Sequence, residues 1–157
     1  MVSLELVKQD TLYGYENVYR ITDYEHPWDG YNNQKVVVFE EFRSSLKIQD
    51  MLNYLDGYPL SLPSRYANRQ ACFVIVYIIT NIGIEEQFAS VQENHPETYQ
   101  AFLRRIHDIR EYTNNGIVEY KQGKDENDEY NYFDENNHKY MEKIKDKKEN
   151  KTYKKVS

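Results

Sequence analysis

Val36-Val37-Val38-Phe39-Glu40-Glu41-Phe42 is the stretch on which the fold of this chain turns. Four consecutive apolar residues, three of them β-branched, make a short run that suits a strand. They do not alternate with polar residues, so the strand they predict is covered on both faces. Two acids follow at once. A buried strand ending in carboxylates delivers them where open α/β sheets gather ligands, beyond the carboxyl ends of the strands. One acid there can hold Mg²⁺, directly or through water, and the other can polarise an attacking water. Two solvated acids at a strand end, or an N-cap for the next helix, account for the same residues more plainly.

On either side the pattern continues. Residues 18–22 and 73–80 read as further strands, the second rich in Ile and Val and apolar on both faces. Between the strands, Ile48, Met51, Leu52 and Leu55 repeat at helical spacing, and Asp56-Gly57 ends that helix. Pro96 opens a second helix through Tyr99, Phe102 and Leu103. Strands alternating with helices predict an α/β fold with a mainly parallel sheet. Val2, Leu4 and Leu6 alternate with Ser3 and Glu5, the pattern of one more short strand at the N-terminus. No internal repeat is evident.

The chain has 157 residues, 20 basic and 26 acidic side chains and a net charge of −6, enough for one domain and a tail. No apolar run approaches the roughly 20 residues of a bilayer span, so no membrane partner is expected. Residues 1–10 have neither the basic flank nor the apolar stretch of a signal peptide. The single cysteine, Cys72, excludes an internal disulfide framework and suits a reducing compartment; the expected location is the cytoplasm. The acidic balance argues against coating nucleic acid through bulk charge. His26, His95, His107 and His138 give neither a close pair nor zinc spacing with Cys72.

Composition shifts near residue 118. Residues 1–118 hold 10 basic and 16 acidic side chains; residues 119–157 hold 10 of each and few aliphatics, with acids first and lysines last. The second segment is expected to be a mostly disordered tail, with one frayed helix around residues 140–148. Its lysines are candidates for touching DNA phosphates.

Three further pieces carry chemistry. Asn81, after the strand at 73–80, has an amide that can bond both a phosphate and an attacking water, or simply cap the turn at Gly83. Arg104 and Arg105 end the second helix, where cations suit both the helix dipole and the charge on a transferring phosphoryl group. The loop 58–69 holds Arg65, Tyr66 and Arg69 with few acids, a mixture that grips single-stranded nucleic acid by phosphate contact and stacking, or forms a plain surface hairpin.

Taken in order over residues 13–112, the chain resembles the superfamily-three helicase domain, an AAA+ ATPase, of rolling-circle replication initiators (Rep proteins) from bacterial plasmids and circular single-stranded DNA viruses. The phrases that carry the resemblance are Tyr13-Gly14-Tyr15-Glu16-Asn17-Val18-Tyr19-Arg20, His26-Pro27-Trp28-Asp29-Gly30-Tyr31, Phe39-Glu40-Glu41-Phe42-Arg43-Ser44-Ser45-Leu46, Leu55-Asp56-Gly57-Tyr58-Pro59-Leu60, Thr80-Asn81 and Phe102-Leu103-Arg104-Arg105-Ile106-His107. The resemblance implies that Glu40 and Glu41 match the Walker B acids, with Glu40 holding Mg²⁺ once nucleotide is bound. It implies that Asn81 matches the sensor Asn and that Arg104 or Arg105 matches the arginine finger. Arg65, Tyr66 and Arg69 fall in the stretch that forms the central-channel DNA loop. In the family sheet the Asn strand lies beside the Walker B strand, with the P-loop strand beyond it.

The chain departs from that family in one respect. A complete domain carries a Gly-rich P-loop with Lys-Ser/Thr just before the region of residues 13–19; residues 1–12 contain no glycine, and Lys8 stands alone. The expected fold is therefore a partial P-loop NTPase, three-layer α/β, lacking the P-loop strand. The expected protein is a piece of an initiator helicase that is catalytically incomplete by itself. ATP and Mg²⁺ belong to the intact family, and single-stranded DNA and intact initiator subunits are the expected partners. A non-enzymatic protein that modulates an intact initiator and a silent gene remnant are the alternatives.

Overall fold

The computed structural model describes residues 12–57 and 59–141. They divide into two compact units between Phe88 and Ala89. The fold is mixed α/β, with one small parallel sheet and two antiparallel ones. No helix among the described residues is long and apolar enough to cross a membrane.

In the first unit, a 3-10 turn at Tyr15–Asn17 leads into β1 (Val18–Ile21), followed by β2 (Val36–Phe39), α1 (Ile48–Leu55), the two-residue strands β3 (Ser61–Leu62) and β4 (Arg69–Gln70), then β5 (Ile75–Ile78). Strands β1, β2 and β5 form a parallel sheet in that order, with Val36 opposite Val18 on one side and Ile75 on the other. β2 lies in the centre, which is why its four residues needed apolar side chains on both faces: none exposes more than 1% of its surface. On one face Val36 and Val38 pack with Val18, Tyr13, Ile75, Tyr77 and Ile79. On the other, Phe39 meets Trp28 and Tyr54 of α1. Trp28 comes from the β1–β2 crossover, where Pro27, Trp28 and Tyr31 are buried. Parallel strands need long connections that cover a face; here aromatic rings serve in place of a crossover helix.

α1 runs over the predicted residues and buries Met51, Leu52 and Tyr54. It ends at Gly57, whose φ of 72° is the left-handed conformation that closes a helix cheaply only with glycine. β5 departs from expectation. It is shorter than residues 73–80, and its four residues are half-buried, not covered on both faces. Among the described residues its strand neighbour is β2 alone, and a strand at a sheet edge shares its surface with solvent. The strand expected around Val2, Leu4 and Leu6 lies outside the described residues.

The second unit comprises α2 (Ala89–Asn94), α3 (Pro96–Arg105), β6 (Asp108–Thr113), β7 (Gly116–Lys124) and β8 (Tyr130–Phe133), the strands forming an antiparallel meander. This corrects the reading of residues 119 onward as a mostly disordered tail, and of 118 as the boundary. Through residue 139 that segment is strand and tight turn, and Tyr140 and Met141 are helical; residues 142–157, with the rest of the expected helix at 140–148, lie outside the described residues. The physical reason is tyrosine. Tyr120, Tyr132 and Tyr140 are buried to 1%, 0% and 8% exposure and form a core where aliphatics are scarce. The acids have a structural use as well. Asp125 and Asp134 each open a five-residue hairpin loop, Asp125-Glu126-Asn127-Asp128-Glu129 and Asp134-Glu135-Asn136-Asn137-His138. Each Asp accepts the N–H groups two and four residues on, at 2.8–3.0 Å. The fourth residue of each loop, Asp128 or Asn137, is left-handed. The two loops are copies of one turn, a short repeat that charge counting conceals.

Gly123 makes this meander sensitive to a single methyl. A Cβ there would sit 2.7 Å from the Phe133 ring. Gly123→Ala should cost about 1–3 kcal/mol, as overpacked sites do, and Gly123→Ala with Phe133→Leu should recover part of that loss. Thermal unfolding followed by circular dichroism checks both, and an unchanged midpoint for the single variant would contradict this packing.

Candidate functional site

The carboxyl end of the parallel sheet gathers the predicted acids and amide. Because β2 and β5 are parallel neighbours, the residues that follow them leave the sheet at the same end. Ile79 N–H donates to Phe39 O at 2.8 Å, and Phe42 N–H donates to Ile79 O at 2.9 Å, so pairing persists past both strands. Arg43 Nε then donates to Asn81 Oδ1 at 2.9 Å. Asn81 is exposed; with its oxygen engaged, its amide N–H₂ is the group it offers to a ligand.

The two acids differ. Glu40 is three-quarters buried, and its Oε1 accepts from Arg20 Nη1 at 3.1 Å. Its main chain is held twice, by its own N–H to Ile21 O at 3.0 Å and by the Tyr24 hydroxyl to its carbonyl at 2.6 Å. Burial, then the charges of Glu40 and Glu41, push the Tyr24 hydroxyl far above the usual tyrosine range, so it stays protonated and donates. Glu41 is exposed and carries a φ of 49°. A non-glycine residue in the left-handed region is uncommon and needs neighbours that hold it there.

Gln87 holds the residues that follow Glu41. Only 2% exposed, its amide donates to Phe42 O and Thr80 Oγ1, both at 3.1 Å, and accepts from Ser44 N–H at 2.7 Å. It joins the loop after β2 to the end of β5, and a buried amide so engaged costs about 1–3 kcal/mol to leave unpaired.

The hairpin between β3 and β4 carries the predicted nucleic-acid residues. Arg65 is clasped by Asp29: its N–H reaches Oδ1 at 3.1 Å and its Nε reaches Oδ2 at 2.7 Å. These bonds hold the Asp29 carboxyl below its ordinary range, so the clasp is present at neutral pH and is lost only on acidification below that range. The Arg65 guanidinium also lies 5.2 Å from the centre of the Tyr66 ring. Tyr66 is 77% exposed and is the open stacking surface of the loop, whereas Arg69 is half-buried in β4.

Arg104 and Arg105, in the second unit, are also unequal. Arg105 folds back on its own helix, Nη1 to Ala101 O at 2.7 Å, while Arg104 is exposed. Of the predicted pair, Arg104 is the one whose guanidinium faces solvent.

Glu40, Glu41 and Asn81 are thus brought to one sheet end, and Arg65 and Tyr66 to one loop. Arg20, Arg43, Gln87 and Asp29 were missed by sequence reading. Only Arg20 left a signal, as the charged residue inside the apolar run of β1. Among the described residues no group of three or more His, Cys, Asp or Glu side chains comes together. The residues present do not fit a magnesium triphosphate by themselves. Glu40 is engaged by Arg20, and no Gly-rich sequence motif ending in Lys-Ser/Thr occurs in the 157 residues. No protein-family model and no curated protein matches the chain.

Proposed function

We propose that this chain is part of the helicase domain of a rolling-circle replication initiator, a partial P-loop NTPase fold of the AAA+ kind. In this reading it is catalytically incomplete alone and works in the cytoplasm by joining intact subunits on single-stranded DNA. The observation that carries the reading is the parallel order β1-β2-β5, with Glu40 and Glu41 leaving the central strand and Asn81 leaving its neighbour at the same end. In the family that the sequence resembles, an Asn strand likewise lies beside the acid-bearing strand. The exposed Tyr66 beside Arg65 supports the DNA-contacting role of the loop, with stacking worth about 1–3 kcal/mol per base. ATP and Mg²⁺ would be held by the intact subunits, and Arg104 would act on a neighbour's nucleotide.

The test is co-assembly. The chain, mixed with an intact initiator and a single-stranded oligonucleotide, should co-purify with it when ATP is present and raise its ATPase rate. Arg104→Ala should remove most of that increase, because an arginine supplied in trans is worth about 10³–10⁵ in rate. Failure to co-purify under every nucleotide condition would refute the reading and leave a silent remnant as the better account.

A further inference from the structure

The end of α3 is held by residues from outside the region that carries the resemblance. A helix leaves its last carbonyls without partners inside the helix. Here one side chain takes up several of them. The amide nitrogen of Gln122 lies within hydrogen-bond distance of Leu103 O at 2.9 Å, Arg104 O at 2.8 Å and Ile106 O at 3.0 Å, its two N–H groups shared among the three carbonyls. The Tyr132 hydroxyl reaches Leu103 O at 3.0 Å and Ile106 O at 2.9 Å. Gln122 and Tyr132 stand directly opposite each other on β7 and β8, so they point from one face of the meander at one helix end. The Gln122 main chain adds its N–H to His107 O at 2.9 Å. Tyr132 is fully buried, so the platform behind these bonds is rigid packing and not solvent-exposed loop.

We propose that Gln122, seconded by Tyr132, is a positioning residue for Arg104: the antiparallel meander fixes the main chain from which the exposed guanidinium projects. This rests on the reading of Arg104 as the arginine that acts across a subunit boundary. A residue at a reacting centre misplaced by about 1 Å loses up to about 10² in rate. The clasp bonds the carbonyl of Arg104 itself, so its loss is transmitted without any intervening side chain. The requirement is a donor. Glutamate at 122 has the shape of glutamine but places an acceptor against three carbonyls, whereas lysine supplies N–H groups that also suit the negative end of a helix.

The experiment uses the full chain added to an intact initiator, with ATPase rate measured against chain concentration. Gln122→Glu should lower the maximal stimulation about tenfold while the half-saturating concentration stays unchanged. Gln122→Lys should restore at least half of the stimulation. The double variant Arg104→Ala, Gln122→Glu should be no worse than Arg104→Ala alone, because both remove the same contribution. Additive losses, a shifted half-saturating concentration, or a lysine variant as poor as the glutamate one would mean that Gln122 serves only the fold, and would overturn the proposal. If Arg104→Ala itself leaves stimulation intact, the arginine reading fails and the proposal falls with it. If Arg104→Ala abolishes stimulation and Gln122→Glu does not, only the positioning role fails.

Discussion

Trp28→Ala destabilises the first unit by about 3–5 kcal/mol, the cost of deleting a large buried aromatic, which is enough to unfold a marginal domain outright. The indole is completely buried. It stacks on Phe73 with ring centres 5.5 Å apart and planes 2° from parallel. Its edges meet Tyr31 at 5.6 Å, Phe39 at 6.1 Å and Tyr54 at 5.0 Å. These partners come from the β1–β2 crossover, the central strand, α1 and the approach to β5, so one ring ties together the elements packed on this face of the sheet. No helix covers this face between β1 and β2, and alanine would leave a cavity that rigid aromatic neighbours cannot fill. Trp28→Phe keeps a ring against Phe73 and should lose less than half as much. Because Trp28 is the sole tryptophan, circular dichroism in a urea titration is the measurement, not fluorescence. A loss under about 1 kcal/mol for Trp28→Ala would show that this ring is not central to the core.

Purified alone, the 157-residue chain should bind ATP with a Kd weaker than about 1 mM, less than roughly 4 kcal/mol of binding, and release no phosphate. The reason is electrostatic. A triphosphate brings several negative charges to a sheet end that already holds Glu40 and Glu41. In an intact P-loop enzyme a nest of main-chain amides and a lysine offset that repulsion. Here the sheet end offers an Asn amide and the Arg43 guanidinium bonded to it. Arg20, the nearest bonded cation to Glu40, is spent on Glu40 itself. An arginine acting in trans stabilises a transition state on nucleotide already bound and creates no binding site. Calorimetry with Mg²⁺-ATP, then phosphate release with single-stranded DNA, tests this. Micromolar binding, with turnover abolished by Glu41→Gln, would overturn the proposal that these residues are catalytically insufficient alone.

Much of the fold was legible locally. The unbroken apolar run of residues 36–39 announced a strand covered on both faces, and it is the central one. The spacing of Ile48, Met51, Leu52 and Leu55 announced α1, and Pro96 with Phe102 and Leu103 announced α3. These signals are local because a strand or helix that buries one face must repeat its apolar residues at the period of its own backbone. The acids after β2, the amide after β5 and the arginines ending α3 could be placed for the same reason: each sits a fixed number of residues beyond a readable element.

Other features had no local signature. Whether residues 119–141 fold depended on tyrosines that composition counts as polar or apolar equally well, and on carboxylates that bond turn amides instead of repelling one another. The clasp of Gln122 on α3, the bond from Arg43 to Asn81, the hold of Asp29 on Arg65 and the pairing of Arg20 with Glu40 join residues distant in the chain. Sequence alone determined which segments could be strands and helices and which chemical groups lie at their ends, because periodicity and capping are properties of neighbouring residues. Only the tertiary structure decided which of those groups meet, which arginine is spent on its own helix and which faces solvent, because a hydrogen bond between distant residues is set by packing that no short window of sequence contains.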